Sequence, residues 1–255
     1  MSAADGGDDG ADLPVSLELA WGLRERPAKG PRPGLSLERI VDAAVGLAAA
    51  EGLSAVSMGR VAKQLGASTM SLYRYVAAKD ELYVLMLDAA AGAPPAPPEP
   101  GTGWREALTR WARAQREMLR RNLWALRIPT AGPPATPNSL AWMDQGLGAL
   151  AGTGLDEGEK LSVILLVNGF VRNETQLMAD LAAANERTGA TPEEVLGRYG
   201  RTVAKLVDPQ RYPAVTRVLE SGIFEQPDDP DFEFVFGLER LLDGVEVLVR
   251  KRTGD

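Results

Sequence analysis

Residues 54–83, SAVSMGRVAKQLGASTMSLYRYVAAKDELY, hold two short helical patterns separated by only three residues, which narrows the possible folds more than any other stretch. Helices joined that tightly cross steeply and leave one outer face free to present side chains. Ser57 has the residue type of an N-cap, since its hydroxyl can accept from an orphan amide of the next turn. Val61, Ala62 and Leu65 then recur at helical intervals as a buried stripe. Gly66 ends this helix in the backbone state that glycine tolerates best. A second helix follows from Ser68 or Thr69 to about Val76, with Leu72 and Val76 inward and Thr69, Met70, Ser71, Arg74 and Tyr75 outward.

Small residues at the start of that second helix allow close approach to base edges in a major groove about 12 Å wide. Tyr73 can hydrogen-bond a phosphate, and Lys79, opening the next helix, can pair with one beside that helix's free amides. On local pattern alone, an ordinary helical hairpin with packed tyrosines and solvated cations also fits.

The flanking sequence adds a third helix. From Ser36, SLERIVDAAVGLAAAEGL places Ile40, Ala43, Ala44, Leu47 and Ala48 on one face and closes at Gly52. With AAAEGL, VAKQLGAS and MSLYRYVAAKDEL in hand, residues 35–90 resemble the TetR family of bacterial repressors. The resemblance implies that Ser57 lies in the helix crossing the DNA backbone, that Thr69, Met70, Ser71 and Tyr75 face bases, and that Tyr73 and Lys79 clamp phosphates. Gly59 stands where family members often carry a basic residue that reaches a base or phosphate, so the resemblance does not carry over base readout from the first helix of the pair.

A net charge of −7 is unexpected for a DNA binder until it is divided along the chain. From Arg24 to Lys79 cations outnumber acids, while most carboxylates lie in the tip (Asp5, Asp8, Asp9, Asp12) and the C-terminal two-thirds. Phosphate repels those acidic parts, so the chain reads as two modules with separate tasks. The Gly- and Asp-rich residues 1–14 have little to bury. RERPAKGPRPG (24–34) is an extended basic arm whose arginines, Arg32 among them, either enter the minor groove or form a solvated linker. The expected divisions are 1–34 (acidic tip and basic arm), 35–91 (DNA-binding) and 92–255 (effector-binding and dimerisation), with GAPPAPPEPGTG as a stiff connector.

The fold expected is all-α: an N-terminal three-helix helix-turn-helix domain followed by a larger helical ligand-binding and dimerisation domain. No run of about 18 apolar residues is present, and the N-terminus lacks a basic-then-apolar signal, so a cytoplasmic protein without a membrane partner is expected. With no histidine and no cysteine, neither Ser-His-Asp nor Cys-His catalysis can be assembled, and no P-loop appears. No catalytic residue, metal or cofactor is expected. A helical enzyme and a sequence-nonspecific architectural DNA binder are the alternative readings.

In the C-terminal part, Asn168 interrupts an apolar run, and a buried amide there costs about 1–3 kcal/mol unless something bonds it. Arg172 and Gln176 follow at one-turn spacing, and Trp111, Gln115, Met118, Trp142 and Met143 offer apolar and polarisable walls. These side chains fit either a solid core or a ligand cavity; the resemblance implies the cavity, taking a large hydrophobic, antibiotic-like effector. Helices near 191–207 and 232–252, paired with their copies, would make a four-helix dimer bundle. The function expected is a homodimeric repressor of a palindromic double-stranded operator, released by the effector.

Overall fold

The computed structural model describes residues 13–23, 35–130, 132–225 and 229–254. The acidic tip (1–12) and the basic arm with Arg32 lie outside the described residues. Among the described residues no strand occurs, and no helix is long and apolar enough to cross a membrane. The helices are α1 (Val15–Ala20), α2 (Leu37–Glu51), α3 (Met58–Gln64), α4 (Thr69–Leu72), α5 (Lys79–Ala91), α6 (Trp104–Arg121), α7 (Pro137–Ala149), α8 (Glu157–Thr188), α9 (Pro192–Leu206), α10 (Pro213–Glu220) and α11 (Phe232–Thr253). They fall into two units, Met1–Glu99 with Trp124–Gly148, and Pro100–Leu123 with Ala149–Asp255.

In the first unit, serine hydroxyls start three helices: Ser36 accepts from the Arg39 amide, Ser57 from Arg60 and Ser68 from Ser71. Each such cap contributes about 1 kcal/mol. Ile40, Ala44, Val61, Leu72, Leu82 and Met86 fuse α2 to α5 into one apolar core, which Trp124, Ala125 and Ile128 complete from a later part of the chain. Asp88, near the end of α5, holds the start of α7 by accepting from the Ser139 amide (3.0 Å) and the Asn138 side chain (3.1 Å). Trp142 and Gln145 of α7 donate to the carbonyls of Gly92 (3.0 Å) and Pro95 (2.6 Å). The linear division at residue 92 is therefore not the spatial one, because these bonds return 124–148 to the first unit. The first helix also docks here: α1 packs on α2 and α5, and the Trp21 indole donates to the Ala135 carbonyl at 2.8 Å.

In the second unit, reciprocal capping boxes begin α8 (Asp156 with Glu159) and α9 (Thr191 with Glu194, Pro192 at the first turn). The helix α6 packs along α8, as does α11. Gly237 lets α11 approach the Phe170 ring of α8, Phe170 stacks on Phe234 at 5.9 Å, and Arg252 bonds Glu159. The helix α9 packs chiefly on the turn Ile223–Glu225, and less on α8 and α10; Gly200 lies so close to Phe224 that a Cβ would sit 2.9 Å away.

Candidate nucleic-acid interface

The turn between α3 and α4 is closed by Gly66 at φ +64°, a left-handed conformation that other residues rarely adopt. Ala67 donates back to the Ala62 carbonyl at 2.9 Å, so the two helices are locked at a fixed crossing. Leu72 and Val76, both fully buried, anchor α4 against the core. This anchoring decides which residues can point outward.

Met70 is 75% exposed and Tyr73 46%, and Arg74 and Lys79 are also exposed, so these four form the open surface of the reading segment. Thr69 and Ser71 are half-buried at its start, where the Ser71 hydroxyl meets that of Ser68 at 2.8 Å. The α-helix is shorter than its periodicity suggested: it ends at Leu72, and Tyr73 to Tyr75 follow as a turn. The Lys79 ammonium stands 5.0 Å from the centre of the Tyr83 ring at the N-terminus of α5. That terminus has no side-chain cap at Ala78, which leaves backbone donors for an anion.

One residue departs from expectation. Tyr75 packs on the core and its hydroxyl donates to the Leu35 carbonyl at 3.1 Å, because the turn after Leu72 swings the ring toward the start of α2 rather than outward. Beside Gly59, Arg60 is held by Glu51 at 2.6 Å, and that hydrogen bond and charge lower the Glu51 pKa.

Of the expected effector residues, Trp111 and Gln115 are buried on α6, and Met118 is half-buried on the same stripe. Arg172 and Gln176 are half-buried on α8; burial lowers the Arg172 pKa, and Gln176 donates to Asp180 at 2.9 Å. Asn168 is exposed, so its expected burial is corrected: α8 turns this position, with Leu165 and Leu166, away from the unit's core. Trp142 and Met143 belong to the first unit. Sequence reasoning missed the buried ion pair of Arg116 and Glu174, whose signal was two charged residues placed among the inward positions of α6 and α8.

A capped, glycine-closed helix pair with an exposed second member, followed by a larger helical unit, defines a helix-turn-helix transcriptional regulator. Residues 40–86 match "Bacterial regulatory proteins, tetR family" and residues 96–249 match "Tetracyclin repressor-like, C-terminal domain". The HTH-type transcriptional repressor DrrR1 of Streptomyces coeruleorubidus is 39% identical over 246 residues, covering 96% of this chain and 89% of the relative. The chain belongs to the TetR family. Among solved structures, apo ActR of Streptomyces coelicolor matches at a TM-score of 0.70 and 27% identity, over 87% of this chain and 99% of that one. ActR in complex with actinorhodin matches at 0.69 and 28%, over 86% and 99%.

Proposed function

We propose that this chain is an effector-released repressor that binds a palindromic operator as a homodimer. The observation carrying the DNA reading is the exposed set Met70, Tyr73, Arg74 and Lys79, rigidly presented by a buried Leu72 and Val76. Thr69, Met70 and Ser71 meet base edges; Tyr73, Arg74 and Lys79 hold phosphates, with the α5 amides adding donors. Ser57 contributes mainly by fixing the start of α3.

Dimerisation uses α8 and α11. Leu161, Leu165 and Leu166 of α8 and Phe232, Phe236 and Val247 of α11 are exposed apolar side chains on these two packed helices. Monomeric proteins seldom leave such surface in water, and a two-fold copy of the pair makes a four-helix bundle. The two heads then meet half-sites about 34–36 Å apart.

The effector is bound in the second unit beside Trp111, Gln115, Met118, Arg172 and Gln176. A small-molecule ligand is favoured by the likeness to ActR, a structure of which holds actinorhodin. To move an operator-competent population from 99:1 to 1:99, the effector must prefer the released conformer by about 5.5 kcal/mol.

A gel-shift titration tests the operator reading. The promoter region beside the protein's own gene should bind far more tightly than a scrambled duplex of the same length. Equal affinity for both would instead support phosphate-only, architectural binding.

A further inference from the structure

We propose that Gln115 is the polar group through which the second unit recognises a hydroxyl on its ligand, which makes the effector a hydroxylated aromatic rather than a bare hydrocarbon. The proposal rests on the effector-binding reading above and adds the chemistry that the ligand must carry.

Two neighbouring residues on one turn of α6 are treated oppositely by the fold. Arg116 is buried and its charge is paired: Glu174 accepts twice, Asp231 accepts once, and the Phe234 ring lies 4.4 Å from the guanidinium carbon. Gln115, beside it, is only 9% exposed, and its Oε1 is inaccessible to water without a hydrogen-bond partner. The fold thus pairs a whole buried charge while leaving the carbonyl oxygen of the adjacent neutral amide unmet. Buried polar atoms are nearly always paired, and an orphan lowers stability relative to an apolar side chain of similar shape. A purely structural position would favour leucine or methionine.

Gln115 shares its stripe of α6 with apolar neighbours. Trp111 lies one turn before it and Met118 about one turn after, both on the same side of α6 and both apolar and polarisable. An aromatic ring suits those walls. A hydroxyl on that ring suits the amide, because O–H both donates and accepts and so answers either orientation of the carboxamide. An ether or a bare ring cannot donate.

The test uses the full-length protein and two small probes, phenol and anisole, which differ only in the hydroxyl hydrogen. Binding is followed on the Gln115 side-chain amide resonances of 15N-labelled protein, assigned by their loss in Gln115→Met, and on tryptophan fluorescence in the variants. Phenol should bind about tenfold more tightly than anisole, and Gln115→Met should abolish that preference. Gln115→Glu, which keeps an acceptor, should retain it. In the absence of probe, Gln115→Met should melt higher by about 2–4 °C, since an unmet polar group is removed. Equal affinity for the probes, failure of either to saturate, a preference that survives in Gln115→Met, or a lower Tm or lost folding in that variant would each overturn the proposal. A parallel operator gel shift separates the two levels. Intact operator binding alongside any of these results removes only the hydroxyl assignment, whereas absent operator binding removes the repressor reading itself.

Discussion

Arg116 of α6 and Glu174 of α8 meet with both side chains less than a tenth exposed, joined by hydrogen bonds of 2.7 and 3.1 Å. The same guanidinium reaches Asp231 at the start of α11 at 2.5 Å, so one cation ties three helices of the second unit together. Burial opposes the Arg116 charge, and the bonds from Glu174 and Asp231 outweigh it, raising its pKa overall. Replacing Arg116 by methionine leaves a buried carboxylate unpaired, at a cost of about 3–5 kcal/mol. Urea unfolding should register that loss, and adding Glu174→Leu should recover most of it. A single variant as stable as the parent would show that the pair does not hold these helices.

Acid should loosen the same unit. The Asp231 carboxyl is held below its ordinary pKa by its bond from Arg116, Asp243 by Arg105 and then Arg240, and Glu159 by Arg252. A carboxylate whose folded pKa is depressed stabilises the fold above its unfolded value, near 4, and loses that contribution as pH falls through the folded value. The urea midpoint should therefore drop as pH falls below about 4. Asp231→Asn should start lower at neutral pH and decline less. These groups are largely solvated, so the effect of each is modest.

Two glycines in helix interiors should answer oppositely to alanine. At Gly237 a methyl would fall 2.4 Å from the edge of the Phe170 ring, so α11 must shift on α8, at a cost of about 1–3 kcal/mol. At Gly46 of α2 a methyl meets nothing, and helix propensity alone should stabilise by up to about 1 kcal/mol. Thermal melts of Gly237→Ala and Gly46→Ala moving in the same direction would contradict the packing described.

Tyr73 and Tyr75 should separate binding from folding. Tyr73→Ala should weaken operator binding by about tenfold, the worth of one phosphate contact, with Tm nearly unchanged. Tyr75→Phe removes only the bond to Leu35 and should lower stability by about 0.5–1.5 kcal/mol, measured by urea unfolding. A collapse of folding in Tyr73→Ala would mark its ring as core.

Leu165, 63% exposed on α8, lies on the surface assigned to the second subunit. Leu165→Glu should shift the protein from dimer to monomer in sedimentation equilibrium, because a carboxylate buried against its own copy is strongly disfavoured. Operator affinity should fall with it. A variant that remains dimeric would move the interface elsewhere.

Much of the reading head was legible because its determinants are local. Ser57, Gly66 and Ser68 act within one helical turn of themselves, and Val61, Leu65, Leu72 and Val76 announce an inward face by their spacing alone. The capping boxes of α8 and α9 are local in the same sense. Tyr75 escaped it, since four residues of α4 are too few for a helical period to dictate where the next side chain points.

By itself, then, the order of residues determined the helices, their caps, the charge division and the family. Only tertiary structure decided which apolar face was covered. Asn168 was expected inside and lies exposed with Leu165 and Leu166, α11 is laid along α8, and residues 124–148 return to the first unit through Asp88, Trp142 and Gln145. The physical reason is that hydrophobic burial has no direction: a stripe records that it will be covered, while the neighbour is chosen by close approaches such as Gly237 on Phe170 and by paired charges such as Arg116 and Glu174, which form between positions far apart in the chain.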